Sequence, residues 1–160
     1  MLEITLICVG RLKEQYYTEA AEEYRKRLSG YCRLNLIEIP EQRLPDNPSG
    51  SQISAALKKE REAIEKRRSE RAFTAAMCVE GIELSSAELS DFLTKCAGSG
   101  ISKICFIIGG SYGLHPDLKA AADARFSLSR MTFPHHLARI ITLEQLYRAF
   151  SIAEGGKYHK

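Results

Sequence analysis

Apolar and polar positions along the chain fall into short stretches of two kinds. Leu2 to Val9 is rich in Ile, Leu and Val and stops at Gly10, which reads as a buried strand. Tyr16 to Leu28 carries Tyr17, Ala20, Ala21, Tyr24 and Leu28 at helical spacing, with Gly30 placed to end the helix. Leu34 to Ile39 is a second strand, stopped by Pro40, and apolar residues on both its faces predict burial on both sides. Gln52 to Arg71 is a charged helix with Ile53, Ala56, Leu57 and Ile64 on its apolar stripe. Phe73 to Val79 reads as a third strand. Ser85-Ser86-Ala87-Glu88 then has the Ser-x-x-Glu form of a capping box, opening a helix through Cys96. Ile104 to Ile108 is the fourth strand and Phe126 to Leu128 the fifth. The last helix runs from Pro134 to Ile152, with Leu137, Ile140, Ile141, Leu143, Tyr147 and Phe150 mostly on one face. Strands alternating with helices predict a mainly parallel α/β sheet flanked by helices, in a single domain spanning 1–160.

Two of these strands end in unusual loops. The fourth breaks into Gly109-Gly110-Ser111-Tyr112-Gly113, followed by a helix start at His115-Pro116-Asp117. The fifth breaks into Ser129-Arg130-Met131-Thr132-Phe133-Pro134 before the final helix. In an open α/β sheet, ligands bind beyond the carboxyl ends of the strands, so the functional site is placed between these loops. The glycines permit close backbone approach to a ligand. The pattern is neither a P-loop, since no Gly-Lys-Ser/Thr follows, nor GxGxxG, since Gly109 and Gly110 are adjacent. The second loop mixes Met and Phe with hydroxyls and backbone amides, which suits an adenine and a thioether-like arm. The only long loop signal, Pro40 to Ser51, reads as a lid or a connector, with the connector favoured.

Composition narrows the class. Hydrophobic content of 44% and charged content of 27% are those of a globular domain. No apolar run reaches the roughly 20 residues a membrane helix needs, so no membrane partner is expected. Met1-Leu2-Glu3-Ile4 reads as the start of a strand and not as a signal peptide, which makes a cytoplasmic protein the expectation. The five cysteines are odd in number and form no CxxC; Cys8, Cys78 and Cys105 lie in apolar runs as small hydrophobes. His135 and His136 are adjacent and cannot share a metal as an i, i+4 pair could, so no metal is expected. Charge is concentrated late: residues 125–160 hold six Lys/Arg against Glu144 and Glu154. A basic final quarter suits an anionic partner such as RNA, and equally a solvated face.

Taken together, Ile108-Gly109-Gly110-Ser111-Tyr112-Gly113-Leu114-His115, Leu128 to His135, Glu144 to Phe150 and the tail Tyr158-His159-Lys160 are specific. On these stretches, and on the opening Ile4 to Lys13, the chain resembles the RlmH family, SPOUT-class RNA methyltransferases, over nearly its whole length. Tyr112 departs from the smaller polar residue common in relatives. The resemblance implies a single-domain SPOUT methyltransferase fold whose C-terminal part threads a trefoil knot, and a homodimer. It implies S-adenosyl-L-methionine as cofactor, contacted by Met77 at the end of the third strand, by Gly109 and Gly110, and by Leu128, Ser129, Arg130, Met131, Thr132 and Phe133. It further implies methylation of N3 of a pseudouridine in 23S rRNA within the assembled 70S ribosome.

For that reaction, alignment of acceptor and methyl supplies much of the rate, and the N3 proton must leave. Arg130 or Arg139 could stabilise the resulting anion, and Tyr158 or His159 could orient the base or take its proton. Two rivals remain open at this point: a flavodoxin-like nucleotide-binding module without catalysis, and a structural ribosome-associated protein. Binding of S-adenosylmethionine separates both from the enzyme. The tail beyond Gly155-Gly156 is expected to fold over a cofactor crevice, its own or a partner protomer's.

Overall fold

The structure, a computed structural model, describes residues 1–160. In chain order the elements are β1 (Glu3–Val9), α1 (Gln15–Leu28), β2 (Arg33–Ile39), α2 (Gly50–Arg67) and β3 (Phe73–Glu83). There follow α3 (Ser86–Gly98), β4 (Lys103–Ile108), α4 (Pro116–Ala121), β5 (Ala124–Ser127) and α5 (His135–Ala153). The strands form one sheet in the order β2-β1-β4-β3-β5 with every pairing parallel. All five strand-to-helix loops therefore leave from the same edge.

Alternation within the central strands sorts their side chains into two cores. Ile4, Leu6 and Cys8 of β1 join Ile104, Phe106 and Ile108 of β4 against α1, α3 and α5. Ile7, Val9, Cys105 and Ile107 face the other way, against Ile64 of α2 and Leu118 of α4. A sheet covered on both faces explains why β1 and β4 read as continuous apolar runs. β2 differs from its expectation. It pairs only with β1, and as an edge strand it buries Ile39 alone, leaving Leu36 exposed.

Boundaries moved in α2, β3 and β5, the last of which runs from Ala124 to Ser127 and leaves Leu128 to the loop. α2 stops at Arg67 because Arg68 turns extended and spends its guanidinium on Thr74 Oγ1 at 3.2 Å. It begins in a capping box, Ser49 with Gln52, while the foreseen box of Ser85 with Glu88 opens α3. The strand β3 continues past Val79 to Glu83 through an irregularity between Met77 and Ile82, both of which pair with Phe126. Met77 thus marks the bulge, not the strand's end.

On α5, the face against the core is Arg139, Thr142, Leu143, Leu146 and Ala149. Of the six residues expected to be on its inner stripe, only Leu143 is fully buried; Leu137, Ile140, Ile141, Tyr147 and Phe150 are half-buried. Tyr147 and Phe150 pack sideways on Tyr24 and Tyr31 around α1. The helix is apolar around most of its circumference, because it lies between two other helices as well as over the sheet.

The bulge leans on one glycine. A Cβ at Gly81 would lie 2.6 Å from the Phe126 carbonyl carbon and 2.8 Å from that of Arg125. Neither is a flexible side chain that could yield. Gly81→Ala is therefore expected to destabilise the protein by about 2–3 kcal/mol, the overpacking range. The check is a lowered urea midpoint at unchanged slope.

Candidate functional site

The carboxyl ends of β4, β3 and β5 open into a cavity of about 780 Å³. One wall is the β4–α4 loop from Ile108 to Leu114, and the opposite wall is Ser127 to Phe133 without Arg130. Met77 to Glu80 form the third side, and His135 and Ala138 at the start of α5 close the end. The structure thus brings together Met77, Gly109, Gly110, Leu128, Ser129, Met131, Thr132 and Phe133. Arg130 is exposed and its side chain is outside the wall.

Both loops are braced internally. Gly113 N–H donates to the Gly110 carbonyl at 3.0 Å, and Gly113 has φ of 75°, in the left-handed region. A Cβ on Gly109 would overlap the Gly113 carbonyl group. Glycine at 109 is therefore demanded by the turn itself, before any ligand arrives. Across the cavity, Ser127 Oγ donates to the Ser129 carbonyl at 2.8 Å, and Ser129 Oγ accepts from Met131 N–H at 3.0 Å. That leaves the Met131 side chain projecting, 74% exposed.

The wall is mostly neutral. Glu80 and Lys119 cancel one another in an ion pair of 2.6 Å. Burial pushes the Cys78 thiol up, away from thiolate. Burial, then the neighbouring His136, hold His135 below its ordinary 6.5 against the pull of Glu41, so its imidazole is neutral at neutral pH. An apolar, neutral wall with backbone amides above it suits a flat, amphipathic ligand.

Of the expected catalytic groups, Arg139 is misplaced. Its side chain is 6% exposed and points into the protein, donating to Glu38 Oε2 at 2.7 Å and the Gly10 carbonyl at 2.9 Å. It ties α5 to the ends of β1 and β2, and its donors face Glu38 and Gly10 and not the crevice. Tyr158 and His159 do not line this protomer's crevice either. Tyr158 donates to Glu144 Oε1 at 3.1 Å, packs on Tyr147 and lies under the Arg148 guanidinium at 4.6 Å. Burial and hydrogen bonds with Tyr24 and Glu144 push its phenol up to about 12, so it remains a donor and not a base. His159 Nδ1 lies 3.4 Å from Arg148 Nη1.

Sequence reading missed Cys78, Val79, Glu80, Lys119, His135 and Ala138. The first three belong to the unforeseen bulge. His135 directly follows the Pro134 that ends the second loop, which was a usable signal. Nothing in the sequence flagged Lys119.

The Arg139 contact can be tested by its partner. Burial pushes the Glu38 carboxyl up, but the Arg139 guanidinium and the Leu12 N–H outweigh it and hold the group below its ordinary 4.5. Such a carboxylate contributes stability above about pH 4.5, and the contribution drains as pH falls through the lower folded value. Glu38→Gln is expected to cost about 2–3 kcal/mol at pH 7, under the fully buried range because Glu38 is 40% exposed. Thermal melts at pH 7 and pH 3.5 check this: the difference between variant and parent should shrink at the lower pH.

With this geometry in view, comparison with known proteins is informative. The family described as "Predicted SPOUT methyltransferase" matches residues 2–159. A protein of Clostridium kluyveri named ribosomal RNA large subunit methyltransferase H is 45% identical over 159 residues, covering 99% of this chain and all of its own. Proteins with that name from Acetivibrio thermocellus and Streptococcus equi subsp. zooepidemicus are 45% and 40% identical over the same spans. Among solved structures, a probable methylase family protein of Haemophilus influenzae superposes with a TM-score of 0.55 at 15% identity, covering 100% of this chain and 72% of that one. A probable methyltransferase of Bordetella pertussis gives 0.56 at 13%, covering 92% and 95%. These two speak to the fold alone. The sequence matches run nearly end to end, and by them the chain belongs to the SPOUT methyltransferases, alongside the ribosomal RNA large subunit methyltransferase H proteins.

Proposed function

We propose that this protein methylates large-subunit ribosomal RNA, at N3 of a pseudouridine of 23S rRNA, using S-adenosyl-L-methionine. The substrate is the assembled 70S ribosome in the cytoplasm, and the enzyme is a homodimer whose C-terminal part is threaded as a trefoil knot. One observation carries the reading: all the residues expected around the cofactor except Arg130 converge on the single crevice at the strand ends. The names of the full-length relatives support the substrate class. The final helix α5 returns across the sheet to pack on both α1 and α3. No helix is long and apolar enough to cross a membrane.

The crevice fits the cofactor. Met77, Val79, Leu128 and Phe133 offer apolar surface for a purine and a thioether arm, and the loop backbones offer polar groups for the rest. Bound there, the cofactor supplies an electrophilic methyl group. The protein's own work is to align that methyl with N3, keep water away and stabilise the charge left when the N3 proton departs. Arg130, exposed beside the mouth, is the cation free to meet the developing anion. The tail is anchored on its own α5 and does not enter its own crevice, so Tyr158 and His159 serve the partner's. Tyr158 there stacks on or donates to the base.

Tritium transfer from labelled S-adenosylmethionine is expected with ribosomes lacking the modification, and far less with protein-free 23S rRNA. Equal transfer to both would contradict the ribosomal substrate. Absence of any cofactor binding by calorimetry would refute the enzyme and favour a structural ribosome-associated protein.

Deletion of Tyr158 to Lys160 tests the tail. Loss of a base stack is worth about 1–3 kcal/mol, so transfer should fall roughly tenfold or more with cofactor affinity unchanged and the melting temperature lowered only by the lost Tyr158 contacts to α5. Full-rate transfer by the truncated protein would show the tail to be uninvolved.

A further inference from the structure

The connector after β2 does more than join two elements. Its first residues touch the cofactor loop: Glu41 Oε1 accepts the Ser111 N–H at 2.9 Å, across 70 positions of sequence. Gly110 makes room for this. A Cβ there would lie 2.6 Å from Glu41 Oε1 and 3.2 Å from Val9 Cγ1. A side chain at 110 would therefore displace the Glu41 carboxylate from its place beside the turn.

Glu41 is itself held from both sides. Upstream, Ile39 is buried and its carbonyl accepts the Gly10 N–H at 2.8 Å. Downstream, Gln42 N–H donates to Glu60 Oε2 at 2.9 Å, and Glu60 is a buried residue of α2. A short run of backbone is therefore pinned to β1 and to α2, and it carries one carboxylate outward to the turn at Gly110–Gly113. His135, on the end wall of the crevice, lies 3.9 Å from the other Glu41 oxygen. One side chain touches the glycine turn and faces the α5 wall at once.

We propose that Glu41 is a positioning residue that holds the β4–α4 turn, through the Ser111 N–H, in the shape that receives the cofactor. The proposal rests on the cofactor reading above, since it concerns the wall of that same crevice. Beyond the buried Leu114 at its far end, the turn is fixed on β4 by its own Gly113-to-Gly110 hydrogen bond and by the Glu41 contact. A hydrogen bond to a charged group is among the stronger ones a surface turn can make. Without it, the turn samples several tilts, and the ligand must select one of them.

Three variants separate this from a merely structural contact. Glu41→Ala removes the acceptor. Glu41→Gln keeps an acceptor at the same reach. Ser111→Pro removes the N–H and puts a ring carbon where that hydrogen meets the Glu41 carboxylate, at a turn position whose backbone suits proline. Titration of the whole protein with S-adenosylmethionine should give a Kd raised roughly tenfold to a hundredfold in Glu41→Ala and Ser111→Pro, matching the loss of a charged hydrogen bond. Glu41→Gln should stay within about threefold of the parent, and the Glu41→Ala, Ser111→Pro double variant should be no worse than either single one. In methyl transfer, KM for the cofactor should rise while kcat holds.

Amide exchange provides an arm that needs no ligand. In the free protein, Ser111 N–H should be protected in the parent and in Glu41→Gln, and should exchange at least about tenfold faster in Glu41→Ala. Unchanged Ser111 exchange in Glu41→Ala overturns the proposal, as does unchanged cofactor affinity. A parent that binds no S-adenosylmethionine at all would instead refute the cofactor assignment, and exchange alone would then decide whether Glu41 holds the turn.

Discussion

The structure depends on one buried guanidinium. Arg139 sits in the first turns of α5, nearly sealed from water, and joins that helix to the Gly10 carbonyl at the end of β1 and to Glu38 on β2. Removing such a charge from water is expensive, and the cost is offset only when its donors find strong acceptors. Here a carboxylate and a carbonyl take two of them, while Nε has no partner. The consequence is positional. The N-terminus of α5, with His135 and Ala138, is fixed against the strand ends, and the loop leading into it from β5 is fixed at its far side. The end wall of the crevice exists because this interaction sets where α5 begins.

From that anchor the rest follows by layers. A parallel sheet sends all its outgoing loops to one edge, so the two loops that differ most from simple connectors must be neighbours. Each is closed by hydrogen bonds of its own, the first around Gly113 and the second around Ser129. The bulge in β3 turns Met77 to Glu80 along the third side. The chain builds an apolar, neutral crevice from pieces that are each locally stable.

Much of this was legible beforehand, and the exceptions share a cause. Period and punctuation located every element, because β1 and β4 are mostly apolar and a glycine ends each. Most of the crevice lining was readable from Gly109 and from the Leu128 to Phe133 loop, Arg130 excepted, since such loops carry their signature within a few residues. Arg139 was misjudged because a guanidinium beside a cofactor loop looks the same in sequence whether it faces solvent or Glu38, a hundred residues earlier. The α5 stripe was misjudged because a helix covered on several sides has no single apolar face to read. The bulge was invisible, since Val79, Gly81 and Ile82 suit either a strand end or a strand continuing irregularly. In each case the deciding contact is distant in sequence.

The packing of Glu41 against Gly110 has a consequence for the history of the chain. Two positions on different loops share one small volume, and the constraint runs one way. A side chain at 110 must push the Glu41 carboxylate off the Ser111 N–H, whereas a short residue at 41 leaves glycine at 110 acceptable. Change at 110 therefore costs the hydrogen bond even where the carboxylate is kept, while change at 41 leaves the backbone of the turn untouched. Within the family, Gly110 should accordingly be held most strictly where position 41 is acidic.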